Sequence, residues 1–143
     1  MIVRRASLAD HLALVARSDG RPGTLIGEEE LAAYAAVVDV PEGDYELVGV
    51  DLGDATRDVP PADAVAGFGG RSPLTIEEGL AVFAADPSVI APNRGFSLAG
   101  SSRGDRRCPA LWVSKGAPKL GWCFLGAPHT WLGTASCAAR RPL

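Results

Sequence analysis

Ala110-Leu111-Trp112-Val113-Ser114-Lys115-Gly116-Ala117-Pro118-Lys119-Leu120-Gly121-Trp122-Cys123-Phe124-Leu125 is the stretch whose reading decides the fold. Two apolar, aromatic-bearing runs flank a short polar piece containing Lys-Gly. That is the pattern of two antiparallel strands joined by a hairpin turn. Residues 110–114 and 119–125 are therefore expected as strands. Gly95-Phe96-Ser97-Leu98-Ala99 upstream and Thr130-Trp131-Leu132-Gly133-Thr134-Ala135-Ser136 downstream read the same way, which predicts a C-terminal antiparallel meander of about four strands.

Working back towards the start, the period changes. Thr75-Ile76-Glu77-Glu78 after Pro73 is a T-x-x-E capping box, and Ile76, Leu80 and Phe83 share a helical face that ends before Pro87. Ala62 to Val65 suggests a short helical turn. Tyr45 to Asp51 has strand composition, Pro41 to Asp44 reads as a loop, and Ile2-Val3 as a brief first strand. Ser7 as an N-cap with Leu8, Leu12 and Val15 predicts a helix ending at Gly20, followed by a turn over Arg21 to Thr24. Glu28, Glu29 and Glu30 favour the start of another helix, carrying Leu31, Tyr34 and Ala35 and fading near Val38. Helices mostly first and strands mostly last predict an α+β fold. N-terminal helices would pack on the C-terminal antiparallel meander, with one further central strand.

The 143 residues suit one domain spanning 1–143, large enough to fold without a disulfide or metal. Apolar residues at 47% and charged residues at 22% are ordinary for a globular chain and argue against disorder. Twelve of the fourteen basic residues are Arg, a bias that points to a GC-rich, actinobacterial source. No apolar run is long enough to span a membrane and no leader pattern follows Met1, so a cytoplasmic protein is expected. Three widely spaced cysteines, Cys108, Cys123 and Cys137, read as free thiols of a reducing compartment.

Charge is unevenly spread. Residues 1–92 carry sixteen acids and six bases, net −10; residues 93–143 carry one acid and eight bases, net +7. A basic segment can attract an anionic ligand, or it can be neutralised by the acidic half across the fold.

The runs Asn93 to Leu98, Arg103-Gly104-Asp105-Arg106-Arg107, Pro109-Ala110-Leu111-Trp112, Pro118 to Cys123 and Pro128-His129-Thr130-Trp131-Leu132-Gly133 resemble an actinobacterial family described as a domain of unknown function. Gly70 to Gly79 also fits its pattern. The resemblance covers about residues 45–137 well and the first 40 weakly. Family members carry a further N-terminal helical region. Cys108 and Phe124 stand where the family has an aliphatic residue and a tryptophan, and Ala127 where asparagine is common. The resemblance brings no activity, cofactor or catalytic residue.

Known chemical signatures are missing. There is no P-loop, no dinucleotide fingerprint, no nucleophile elbow and no H-E-x-x-H. His11 and His129 are the two histidines. Zinc held by the cysteines with His129 is poorly spaced, so neither a metal nor a cofactor is assigned. The candidate catalytic residues are His129, Lys119 and Asp105: an imidazole for proton transfer, an amine that desolvation could turn into a base, and a carboxylate that orients guanidiniums. The candidate ligand-binding residues are Arg94, Arg103, Arg106 and Arg107, which suit a phosphate or carboxylate, with Trp112, Trp122 and Trp131 to stack on a flat ligand. For each tryptophan the alternative is a core role, and for the arginines a solvated loop paired with Asp105.

Three functions follow as expectations. One is a small cofactor-independent enzyme or ligand-binding protein for a polar anionic small molecule. A second is a nucleotide or nucleic-acid binder, disfavoured by an isoelectric point near 5.3. The third is an interaction module whose partner could be a second copy in a homodimer. No membrane partner is expected.

Overall fold

The computed structural model describes residues 1–3, 24–25 and 32–143. In chain order the strands and helices are β1 (Ile2–Val3), β2 (Thr24–Leu25), β3 (Ala35–Ala36), β4 (Tyr45–Val48), α1 (Pro61–Ala66), β5 (Ser72–Pro73), α2 (Ile76–Ala85), β6 (Gly95–Ser97), β7 (Ser101–Ser102), β8 (Arg107–Ser114), β9 (Ala117–Phe124), β10 (Leu132–Thr134), β11 (Ser136–Cys137) and β12 (Ala139–Pro142).

The β8–β9 hairpin is the longest pairing, running in unbroken register from Arg107↔Phe124 to Ser114↔Ala117. Its two-residue turn puts Lys115 at φ 52° and Gly116 at φ 75°. Two successive left-handed residues match the right-handed twist of the strands. The hairpin is the heart of a five-stranded sheet ordered β10-β6-β8-β9-β2. β6 runs antiparallel to β8, while β10 lies parallel to β6 and β2 parallel to β9. Period-two alternation sends Leu111 and Leu120 to one face of the hairpin and Cys108, Ala110, Trp112, Lys119, Gly121 and Cys123 to the other.

The first face meets the main core. Leu111, Leu120, Phe96 and Leu98 join Leu74, Leu80 and Phe83, with Tyr45 and Leu47 from β4. Fully burying side chains of this size contributes about 1.5–3 kcal/mol each. α2 begins as its sequence dictates: Thr75 Oγ1 accepts the Glu78 N–H at 3.2 Å and Glu78 Oε1 accepts the Thr75 N–H at 2.9 Å. Gly79 lets the helix settle onto Leu98, since a Cβ there would lie 2.4 Å from Leu98 Cδ2. The second face carries a smaller cluster of Cys108, Ala110, Cys123 and Leu132, covered in part by Trp112 and Trp131.

The expected α+β arrangement is overturned. The described residues are mostly β, in four sheets, and their two α-helices have six and ten residues. The helix expected to fade near Val38 is strand by Ala35–Ala36, paired with Ser101–Ser102, and the Val37 N–H bonds Gly100 O at 2.9 Å. Tertiary hydrogen bonds there override the helical propensity of an alanine-rich run. The helix from Ser7 to Gly20, with His11, the turn after it and the start of the helix at Glu28 lie outside the described residues.

Nor is the C-terminal sheet a meander. The stretch expected as one strand over 130–136 starts at Leu132, pairs parallel with β6, then leaves that sheet at Ala135 to form β11 against β5. The Tyr45 strand sits between β1 and β12 in a separate three-stranded sheet. No helix among the described residues is long and apolar enough to cross a membrane.

Candidate functional site

Trp112 stands opposite Lys119 across the hairpin. Gly121 follows Lys119 on the same face, and any side chain there would collide with the indole, because a Cβ would lie 2.6 Å from Trp112 Cη2. The missing side chain lets the indole lie down along the sheet. The Lys119 ammonium sits 5.5 Å from its ring centroid, within cation–π range. Trp131 is delivered beside it by the parallel β6–β10 pairing, whose first bond runs from the Gly95 N–H to Trp131 O at 2.8 Å. The two indole centroids are 5.4 Å apart with planes at 58°, and the His129 ring is 5.0 Å from that of Trp131 at 43°.

Arg94 reaches this place through a tight turn. Ala91 and Arg94 exchange backbone bonds of 3.0 and 2.9 Å around Pro92 and Asn93. Proline second and a left-handed Asn93, at φ 60°, third is the pattern of a type II turn. Asn93, Arg94, Trp112, Val113 and Trp131 line a cleft of about 210 Å³. The Arg94 guanidinium lies 3.5 Å from Asp54, which also holds Arg57 at 2.6 Å. Both groups of the Arg94–Asp54 pair are half or more exposed, and such surface pairs contribute little. Lys119 has no carboxylate at ion-pair distance among the described residues. Arg94 thus lines the cleft, and Lys119 lies against the Trp112 indole beside it.

The remaining candidates lie elsewhere. Trp122 alternates to the opposite face from Lys119, five register steps separate the Arg107↔Phe124 pair from Trp112↔Lys119, and that is about 17 Å along the strands. There the Arg107 guanidinium lies 4.9 Å over the Trp122 ring, whose edge meets Phe124 at 5.1 Å. Asp105 sits between Arg103 at 3.2 Å and Arg107 at 3.7 Å and accepts the Arg107 N–H at 2.9 Å. Arg103 also lies 6.0 Å over the Tyr34 ring. Arg106 is exposed, and its carbonyl accepts the Leu125 N–H at 2.8 Å. Asp105 thus occupies two of the four guanidiniums expected to bind an anion. The structure gathers Arg94, Trp112, Lys119, His129 and Trp131 and separates Arg103, Asp105, Arg106, Arg107 and Trp122 from them.

Sequence reasoning missed two constellations. Glu78, expected only as part of a helix start, is fully buried and paired with Arg140 at 2.6 Å; it also accepts from Tyr45 Oη at 2.7 Å. Arg140 further donates to Ser72 Oγ at 2.7 Å and Pro73 O at 2.9 Å. Burial would raise the Glu78 pKa, but the bonds from Arg140, the Thr75 N–H and Tyr45 outweigh it and hold the carboxyl below its ordinary range. Arg140 lies in Ala-Arg-Arg-Pro, which carries no periodic signal. The second constellation is a cleft of about 180 Å³ that includes Asp51, Thr56, Arg71, Thr134 and Ser136. Arg71 donates to Ser136 Oγ at 2.9 Å and to the Gly49 carbonyl, so its guanidinium braces the wall of that cleft. Among the described residues no three His, Cys, Asp or Glu side chains are grouped to hold a metal ion.

The acidic and basic halves do meet, through Arg140–Glu78 and Arg94–Asp54. A family model, DUF5701, family of unknown function, matches residues 1–143, and the chain belongs to that family. The match takes in the first 40 residues as well as the 45–137 stretch that carries the motif resemblance. No curated protein and no solved structure matches it.

Proposed function

We propose, from the premise of membership in this family of unknown function, that the chain binds a small flat anion in the cleft between Asn93-Arg94 and the Trp112–Trp131 pair. The observation that carries this reading is the convergence of Arg94 and two tilted indoles on one hollow of about 210 Å³, with Lys119 lying against one of those indoles. Indole faces favour a planar ligand, and a guanidinium favours a carboxylate held by two parallel bonds. The volume is below the roughly 300–1,000 Å³ of sites for drug-sized ligands, so a single ring with one acidic group is the right scale. His129, its ring tilted against that of Trp131, would exchange a proton with a ligand that reached past that indole. An Arg-rich, Lys-poor composition supports an actinobacterial source, and the ligand would then be a small molecule of that metabolism.

Tryptophan emission reports the cleft directly. Titration with benzoate, indole-3-carboxylate and inorganic phosphate, each at low and high salt, should show saturable quenching by the aromatic carboxylates and a weaker response to phosphate. Arg94→Gln should weaken binding by about tenfold or more, the loss of one charge-assisted bond. Absence of saturable quenching by every probe at millimolar concentration, or affinity unchanged from wild type in Arg94→Gln, would refute the reading.

A further inference from the structure

Cys108 and Cys123 are Cα partners on facing strands. They lie six register steps from Ser114↔Ala117, the pair that closes the two-residue turn. An even number of steps keeps the same hydrogen-bonded type, with Cα atoms about 5.5 Å apart. Disulfides most often span about 5.5–6 Å between Cα atoms. Both side chains project from the same sheet face into the smaller core cluster, beneath Trp112, Leu125, Trp131 and Leu132. Cys108 is 1% exposed and Cys123 6%. The third thiol, Cys137, is in the main core on β11, away from both.

We propose that Cys108 and Cys123 form an oxidisable dithiol, closed to an internal cross-strand disulfide by hydrogen peroxide or another small hydroperoxide. Access comes through Cys123. It is the more exposed of the two, 6% against 1%. Only an oxidant little larger than water suits so narrow an approach. The thiols also divide the work. The neighbouring sulfur and burial push the Cys108 thiol up, and the same neighbour holds the Cys123 thiol below its ordinary range; the Cys108 S–H itself lies 3.6 Å from the Pro109 carbonyl. The more exposed Cys123 is the attacking sulfur and the deeper Cys108 the resolving one.

In the first step the Cys123 thiolate attacks one peroxide oxygen. An S–O bond forms, the O–O bond breaks, and the departing hydroxide takes up the thiol proton as water. In the second, Cys108 sulfur attacks Cys123 sulfur. The S–S bond forms, the S–O bond breaks, and the hydroxyl leaves with the Cys108 proton as a second water. Two thiols are oxidised and one peroxide is reduced to two waters.

The test uses the whole chain, folded, treated with a few equivalents of hydrogen peroxide, then unfolded and alkylated without reduction. Intact mass should fall by two hydrogens. Non-reducing digestion should join the peptides of Cys108 and Cys123 while Cys137 is alkylated, and dithiothreitol should reverse both. Emission from the overlying tryptophans should drop on closure and recover on reduction. In Cys108→Ala, dimedone should trap a sulfenic acid on Cys123; in Cys123→Ala, oxidation of Cys108 should slow at least tenfold. If these variants do not fold, the wild-type peptide map decides alone. Recovery of all three cysteines as alkylated thiols, a link to Cys137, or over-oxidation of Cys123 without a disulfide would overturn the proposal. It does not depend on the ligand reading, since a dithiol that closes in a protein with no affinity for carboxylates would leave it standing.

Discussion

Glu78→Gln removes one charge and almost no volume from a fully buried side chain. The carboxylate accepts from Arg140 Nε at 2.6 Å and Nη2 at 2.8 Å, from Tyr45 Oη at 2.7 Å and from the Thr75 N–H at 2.9 Å. An amide offers one acceptor oxygen and turns an N–H₂ towards donors. At least two of the four bonds are lost, and a guanidinium that is 7% exposed is left without a counter-charge. Breaking a buried pair from one side costs about 3–5 kcal/mol. Domains have about 5–15 kcal/mol in total, so the variant would lose a large share. Urea unfolding at pH 7, followed by tryptophan emission, should show the midpoint falling by about 2 M at a slope near 2 kcal/mol per M. Melting should drop by about 10–20 °C. Adding Arg140→Met removes the stranded cation, so E78Q/R140M should be at least as stable as E78Q alone. A single variant within about 1 kcal/mol of wild type, or a double variant whose loss equals the sum of the two singles, would refute the argument.

Two other outcomes follow from the same structure. Because the folded state holds Glu78 below its ordinary pKa, the stability it contributes is fully present above the unfolded carboxylate value, about 4.3 for Glu, and is lost as pH falls through the depressed folded value. The gap in urea midpoint between wild type and E78Q should therefore be wide at pH 7 and narrow at pH 3; a constant gap would show that Glu78 is not ionised in the fold. Glycine substitutions should rank by what their new Cβ meets: Gly70→Ala meets nothing within 4 Å and should stay within about 0.5 kcal/mol of wild type. Gly121→Ala presses on the movable edge of Trp112 and should cost about 1–3 kcal/mol with red-shifted emission. Gly133→Ala puts a methyl 1.9 Å from Gly53 O, backbone that cannot yield, and should exceed about 3 kcal/mol in urea unfolding. The reverse ranking would contradict the packing.

Local grammar was legible where it was strong. The T-x-x-E box opens α2 at Ile76, and the Lys-Gly turn sets a hairpin with strands at 107–114 and 117–124. Architecture was not legible, because it rests on pieces too short to carry a period. β3, β5, β7 and β11 are two residues each, and their partners are chosen by tertiary contact. Parallel pairing of β10 with β6 leaves no turn signal between neighbours, so a meander was the natural and mistaken expectation. At the candidate site, alternation was enough to part Trp122 from Cys123, and it parts Trp122 from Lys119 in the same way. It could not show that Asp105 occupies Arg103 and Arg107, since loop side chains follow no repeat. Arg140 was invisible because one charge in a polar stretch looks solvated until its partner's burial is known.

β4 has β1 on one side and β12 on the other, and Glu46 faces Ile2 across one ladder and Arg141 across the other. Adjacent strands lie about 4.8 Å apart, so these two residues, far apart along the polypeptide, are within about 10 Å of each other. Unpairing either flanking strand would therefore turn β4 into a bare edge, open to pairing with another chain.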